Sequence, residues 1–355
     1  MGALGRGDEP PVGPPPDAAC GSTARRRRDC EGFGRTFRIL RKSFFEKLLL
    51  FVLSCTSRRA FAPCPMASSS TPSRWRMDGK RVFITGSSKG IGFATAREFH
   101  GLGAVVIING RNLDEVFAAA RAIGGDEQTR VVTCVADIST AEGRAYVVEK
   151  LHLKDHPDQP YTGDASYLDC LVNNAGTNVR SPALDAKDED YRRIMGVNLD
   201  AVYHLTVALH PLLLASSKAG RYPSIVNVAS AAGITSTGSG AAYAMSKAGI
   251  VQLTKTLACE WASHGIRVNA IAPWVTWTGL LEEAVQGPMK EADRENLRKA
   301  ENATPLGRAA QPEEMAGAIC FFAMQVSGYV TGQTLSVDGG LSAEGFAGPC
   351  VGDRR

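Results

Sequence analysis

The chain has 355 residues, 44% hydrophobic and 21% charged, with a formal net charge of +4, ordinary proportions for a soluble globular protein. Much of the positive excess lies near the N-terminus, in "RRRR" (Arg25 to Arg28) and "RILRK". Beyond about Lys80 charges of both signs intersperse, which gives no reason to expect a nucleic-acid partner. Nine cysteines without a C-x-x-C pair form neither a disulfide framework nor a zinc ribbon and fit a reducing compartment.

Residues 1–75 differ in composition from the remainder. "EPPVGPPPD" and "ASSSTPS" cannot bury a core. Between them, "RILRKSFFEKLLLFVLSC" is a basic stretch followed by an apolar run too short for a transmembrane helix but of signal-peptide length; no stable membrane insertion is expected. The following Phe61-Ala62-Pro63 resembles the cleavage motif of two-part targeting sequences in algae with secondary plastids. A plastid destination is one reading. The others are a disordered tail, or an upstream extension of a cytoplasmic protein beginning at Met66 or Met77.

From Arg81 onward the pattern alternates regularly. "RVFIT" is a short apolar run ending in a glycine-rich loop, "GIGFATAREFHGLG" reads as a helix, and "AVVIIN" as the next strand. "LDEVFAAARAIGG" is helical, "RVVTCVAD" a strand and "TAEGRAYVVEKLH" a helix. "LDCLVNNAG" is a strand, followed by one long helix, "DEDYRRIMGVNLDAVYHLTVALHPLLLAS". "SIVNVAS" is a strand, "AAYAMSKAGIVQLTKTLACEWASHG" a helix, and "IRVNAIAP" the last core strand. Fully apolar strands separated by helices predict an α/β fold, a doubly wound parallel sheet covered on both faces. Its ligand would lie beyond the carboxyl ends of the strands. One domain over 76–346 is expected, with a tail at 347–355 and a surface insertion at "KDHPDQPYTGDAS". His152 and His156 stand at i,i+4, but Pro157 follows and no third ligand is near, so no metal site is expected.

The chemistry-bearing residues fall at strand ends. "TGSSKGIG" (Thr85 to Gly92) places glycines where a tight turn opens a helix and a pyrophosphate can approach backbone N–H groups. Tyr243 and Lys247 share a helix face one turn apart, where a cation would lower the phenol pKa from about 10.

The glycine motif, "NNAG" (173–176), Ser230, Y-x-x-x-K and "VDGG" (Val337 to Gly340) stand in the order and spacing of the short-chain dehydrogenase/reductase family, which residues 78–346 resemble. "APWVTWTGLLE" and "TPLGRAAQPEEMAGAICFFA" are similar to its tropinone-reductase-like plant branch. The resemblance implies a Rossmann-fold, NADP-dependent oxidoreductase acting on a ketone or secondary alcohol, and a homodimer or homotetramer paired through the helices from Asp188 and Ala241. It makes Tyr243 the general acid, Lys247 its partner on the nicotinamide ribose, Ser230 a donor to the developing alkoxide, and Asn198 the holder of a proton-relaying water. The cofactor contacts it implies are Gly86, Ser88, Lys89, Gly90, Ile91, Gly92, Arg111, Asn112, Asp137, Ile138, Asn174, Ala175, Gly176, Tyr243, Lys247, Pro273, Thr276 and Thr278.

Three functions compete: a reductase of small or cyclic ketones, a 3-oxoacyl-carrier-protein reductase, and a nucleotide-binding protein without chemistry. The intact Asn–Ser–Tyr–Lys set argues against the last. In "PWVTWTGLLEEAV", Trp274, Trp277, Leu280, Leu281 and Val285 would wall an apolar pocket and favour compact ketones over a long acyl arm. Gly110 stands where an NAD-selecting acid would end the second strand. With Lys89 and Arg111 nearby, NADPH is expected over NADH, by about a hundredfold or more if each cation contributes about 1.5–3 kcal/mol.

Overall fold

The structure is a computed structural model that describes residues 73–124, 130–152, 166–278 and 291–344. Residues 1–72, His156, all but the last residue of the expected insertion, and Leu280, Leu281 and Val285 lie outside the described residues.

Seven strands form one parallel sheet in the order β3-β2-β1-β4-β5-β6-β7. They are β1 Arg81–Ile84, β2 Val105–Gly110, β3 Val131–Val135, β4 Cys170–Asn173, β5 Ser224–Val228, β6 Arg267–Pro273 and β7 Thr334–Val337. The helices are α1 Gly90–Gly101, α2 Leu113–Gly124, α3 Ala141–His152, α4 Asp188–Met195, α5 Ala201–Lys218, α6 Ala241–Glu260, α7 Glu291–Asn302 and α8 Pro312–Ala323. The first three strands step outward to one edge; β4 then pairs on the opposite side of β1. That reversal opens a crevice at the carboxyl ends of β1 and β4, the place where doubly wound sheets bind ligands.

Successive strand residues point to opposite faces. Val82, Ile84, Val106 and Ile108 pack with Phe99 of α1 and Ile319 and Phe322 of α8. Phe83, Ile107, Leu171 and Ile225 pack with Leu205, Leu209 and Leu213 of α5 and Leu257 of α6. Both sides are dry, so the inner strands are apolar at nearly every position. The strand β7 breaks that rule. It is an edge strand whose residues are only half-buried or exposed, and its alternating Thr-Leu-Ser-Val hides it from a search for continuous apolar runs. "IRVNAIAP" is therefore the penultimate strand and not the last.

The single long helix expected from Asp188 is interrupted. A π-helical turn, Gly196–Asp200, separates α4 from α5. The whole segment Asp188–Lys218 is long and apolar enough to cross a membrane by length and composition, but its apolar residues Leu205, Leu209 and Leu213 are fully buried against the sheet. Polar groups pin these helices as well. Asn173 Nδ2 donates to Thr206 Oγ1 of α5 (3.0 Å) and to Asn227 Oδ1 of β5 (2.8 Å), and Asn227 Nδ2 donates to Thr254 Oγ1 of α6 (2.9 Å). A buried amide network of this kind fixes one packing arrangement at the strand ends that form the site.

Candidate active site

The loop between β1 and α1 is built for close backbone approach. Gly86 (φ +62°) and Gly90 (φ +59°) occupy the left-handed region, which glycine enters without steric cost. A Cβ on Gly86 would stand 2.9 Å from Ala175 Cα, and one on Gly92 would collide with Gly86 O and lie 2.5 Å from Asn174 Nδ2. Three side chains knot the loop to the sheet. Thr85 Oγ1 accepts from the N–H groups of Asn174 (2.9 Å) and Ala175 (3.0 Å). Asn174 Nδ2 donates to the carbonyls of Thr85 and Gly86, both at 2.9 Å. Buried Asn109, at the end of β2, donates to Cys134 O (3.0 Å) and Ala136 O (3.1 Å) and accepts from Gly86 N (3.3 Å). Sequence reasoning missed Asn109, though a polar residue closing an apolar strand was the visible signal.

Beside that loop lie the four residues expected to handle the proton. The π turn carries Asn198, fully buried: its Oδ1 accepts from Thr177 N (2.8 Å), and its Nδ2 donates to Thr177 O (2.9 Å) and Ser246 Oγ (3.1 Å). The amide is thus committed to protein partners on both sides and braces α6 against the segment after β4. π turns of this kind recur at functional sites. Ser230, just beyond β5, caps a short 3-10 turn and accepts from Ala232 N (3.2 Å), so its structural role and its placement in the site coexist. The Lys247 ammonium is buried, donates to Val228 O (2.8 Å) and lies 5.8 Å from the centre of the Tyr243 ring. Burial lowers its pKa from 10.5 to about 8.

The tyrosine departs from expectation. Burial raises the Tyr243 pKa above its ordinary value, while a hydrogen bond with Ser230 and the charge of Arg180 pull it down. The lysine ammonium is turned to a backbone carbonyl beside the ring, and the Arg180 charge also bears on the phenol.

At the outer end of the crevice, the expected 2′-phosphate corner is more crowded than the sequence implies. Lys89 Nζ lies 3.6 Å from Glu115 Oε1 of α2, and Ser88 Oγ donates to Glu115 Oε2 (3.3 Å). Arg111 Nη1 lies 3.8 Å from Asp137 Oδ2. Burial opposes the Asp137 carboxylate, but hydrogen bonds from Ser139 (Oγ 2.6 Å, N 2.9 Å) and then the Arg111 charge hold it below its ordinary range. No acid stands at Gly110, but Glu115 of α2 brings a carboxylate to the same corner through Lys89 and Ser88. Asn112 accepts from Glu115 N (3.2 Å) and serves as the start of α2. Ile138 is buried in the core among Phe83 and Ile107, so only its backbone remains for a ligand. Ile91 packs partly against the opposite core.

Comparison with known proteins decides the lineage. A family model described as enoyl-(acyl carrier protein) reductase matches residues 86–342, the span that holds both the glycine loop and the Tyr–Lys pair. The chain belongs to the short-chain dehydrogenase/reductase family. A tropinone reductase homolog of Arabidopsis thaliana is 36% identical over 277 residues, 78% of this chain and 97% of that protein. Another Arabidopsis homolog, described as chloroplastic, is 35% identical over 82% of this chain and 85% of its own length. A gluconate 5-dehydrogenase from Burkholderia cenocepacia, solved with NADP and tartrate, has a TM-score of 0.66 at 31% identity, covering 77% of this chain and 98% of that one. The protein is thus an oxidoreductase of this family, similar to the tropinone reductase homologs.

The far wall of this short-chain dehydrogenase/reductase site follows β6. Pro273 ends the strand, and Trp274 Nε1 donates to Thr304 Oγ1 (3.1 Å). Thr276 Oγ1 donates to Trp274 O (3.1 Å), and Trp277 N donates to Ala310 O (2.7 Å). Thr278 returns to the glycine loop, its Cγ2 standing 3.3 Å from where a Cβ on Gly90 would be. The structure therefore brings the β6 segment, the glycine loop and the Tyr–Lys pair to one end of the sheet.

Proposed function

We propose that the protein is an NADPH-dependent carbonyl reductase of tropinone-reductase type, reducing a small or cyclic ketone to a secondary alcohol. The observation that carries this reading is the position of Gly176. A Cβ there would lie 3.4 Å from Asn198 Oδ1 and 3.5 Å from Lys247 Nζ. One residue of the "NNAG" segment thus borders both proton-handling side chains, and its neighbours Asn174 and Ala175 are bonded to the glycine loop. The cradle suits a dinucleotide: glycine at Gly86 and Gly92 lets the loop close on Ala175 and Asn174, and the start of α1 then offers backbone N–H groups to a pyrophosphate.

When bound, the nicotinamide supplies hydride to the carbonyl carbon. The chain supplies the proton and the charge. Tyr243 gives its phenolic proton to the carbonyl oxygen as negative charge grows there, a contribution of about a hundredfold to ten-thousandfold. Ser230, hydrogen-bonded to Tyr243 before substrate arrives, turns its one hydroxyl proton to the same oxygen. Lys247 holds a positive charge beneath the pair, anchored on Val228 O. Asn198 positions α6 through Ser246, whose Oγ donates to Tyr243 O (2.7 Å). Lys89, Arg111 and Ser88 border the place of a 2′-phosphate, with Glu115 as the present partner of Lys89 and Ser88 and Asp137 as that of Arg111.

Compact ketones are favoured by the two indoles after β6. The test is a panel of cyclic ketones assayed beside acetoacetyl-carrier protein, with NADPH and NADH in turn. Compact ketones with NADPH should give the highest kcat/KM. Faster turnover of the carrier-bound substrate would replace this reading with 3-oxoacyl reduction. The exposed Tyr203, Val207 and Met245 on α5 and α6 support a homo-oligomer joined through these helices. The chloroplastic relative and the Phe-Ala-Pro motif support plastid import; a reporter fused to residues 1–75 should then enter plastids, and a cytosolic reporter would refute it.

A further inference from the structure

The crevice has a charged group that the reduction chemistry leaves without a task. Arg180 lies in the segment after β4, and its side chain is exposed. Arg76, Arg97, Arg111, Arg192 and Arg308, also on the surface, each have a carboxylate partner. Among the described residues Arg180 has none. The backbone that carries it is nevertheless held in place. Asn178 Nδ2 donates to Ser239 O (3.1 Å). The backbone on either side of Arg180 packs on Gly240, where a Cβ would stand 3.2 Å from Ser181 O and 3.9 Å from Val179 O. Gly240 (φ +94°) is the residue from which α6 starts, three positions before Tyr243. The segment therefore holds a guanidinium at the tyrosine's end of the crevice, near enough for its charge to act on the phenol.

A permanent cation without a carboxylate partner among the described residues, at the tyrosine's end of the crevice, favours substrates that carry negative charge and repels those that carry positive charge. The guanidinium also offers a flat fork of donors that matches a carboxylate. We infer that Arg180 is a specificity-determining residue and that the substrate is an anionic ketone, with a carboxylate on the face of the molecule that meets Arg180. This deepens the reductase reading and rests on it. A ketone with an ammonium group, as in an alkaloid, is disfavoured at this site.

The test uses three ketones of similar size: oxocyclohexane carboxylate, its neutral amide, and the cationic N-methylpiperidone. In the wild type, kcat/KM with NADPH should be about tenfold higher for the carboxylate than for the amide, and lowest for the piperidone. Tenfold is the lower end for a hydrogen bond to a charged group, as suits an exposed arginine. In Arg180→Ala the carboxylate-to-amide ratio should collapse towards one, and Arg180→Lys should restore part of it. Calorimetric binding of the carboxylate to the NADP+ complex should weaken in parallel, a readout that needs no turnover. Equal kcat/KM for carboxylate and amide in the wild type, or a ratio unchanged in Arg180→Ala, would overturn the inference while leaving the reductase intact. A matching loss of affinity for NADPH itself would place Arg180 on the cofactor and also overturn it. If no ketone is turned over, the reductase reading falls, and the calorimetric comparison alone decides whether Arg180 holds a carboxylate.

Discussion

Replacing Lys247 by methionine should make the protein more stable and inactive. The lysine is buried, and its pKa falls from 10.5 to about 8. At about 1.4 kcal/mol per pH unit, that drop means about 3 kcal/mol lost to keeping the ammonium out of water near neutral pH. Methionine removes this penalty and fills similar volume, but it leaves Val228 O without its 2.8 Å donor, at a cost of about 1 kcal/mol or somewhat more. The net gain should be about 2 kcal/mol at about pH 7. The sign of the pH dependence is fixed. Between about pH 8 and 10.5 the unfolded lysine is protonated and the folded one is not, so the wild type gains stability as pH rises through that window. Urea denaturation of Lys247→Met and wild type should therefore show an advantage that shrinks by about 1 kcal/mol from about pH 7 to about pH 9, while ketone reduction is lost. A variant no more stable than the wild type at neutral pH, or an advantage that stays constant with pH, would refute the reasoning.

Tyr243→Phe should lower kcat for ketone reduction by about a hundredfold to ten-thousandfold while the dissociation constant for NADPH moves less than about twofold; substantial residual turnover would assign the acid elsewhere. Lys89→Ala with Arg111→Ala should raise the NADPH dissociation constant by about tenfold and leave that for NADH nearly unchanged. The hundredfold expected from sequence is reduced because both cations are exposed and already face carboxylates; equal losses for the two cofactors would show that neither reads the phosphate. Glu115→Gln should tighten NADPH by about threefold by releasing Lys89, and weaker NADPH binding would mean that the carboxylate supports the site. Val207→Glu with Met245→Glu should reduce the mass measured by light scattering to that of one chain, and an unchanged oligomer, or a wild type that is already monomeric, would place the contact elsewhere or remove it.

What was legible in the sequence is what the chemistry forces into fixed residue types. A phosphate-binding turn needs glycine at Gly86 and Gly92 because backbone and Asn174 come too close for a Cβ. Buried strands must be apolar, so six of the seven could be read directly. The rest escaped because it depends on who meets whom. β7 is half-exposed and loses the apolar signature. The helices α7 and α8 were not read as helices, although both carry helix-forming residues. Glu115 is ordinary on a helical wheel and matters only because α2 brings it to Lys89. Asn198 was identified, but the π turn that aims it leaves no mark in hydrophobic periodicity. Lys247 was expected to act on Tyr243 because the two share a helix face; the Val228 carbonyl that holds its ammonium and the Arg180 charge that also reaches the phenol come from other segments, so spacing along the helix could not reveal them.

The knot formed by Thr85, Asn109 and Asn174 has a consequence for how such a protein can change over time. These three residues tie the phosphate loop to the ends of β2, β3 and β4 by hydrogen bonds within the protein, so altering any one of them disturbs the architecture. Ser88, Lys89, Arg111 and Glu115 stand outside the knot, and the three charged side chains among them are largely exposed. Changes at such surface positions usually shift stability by less than about 0.5 kcal/mol. On the proposed reading, the choice between NADPH and NADH is thereby separable from folding, and a lineage could exchange one for the other by single substitutions at this rim without passing through an unstable ancestor.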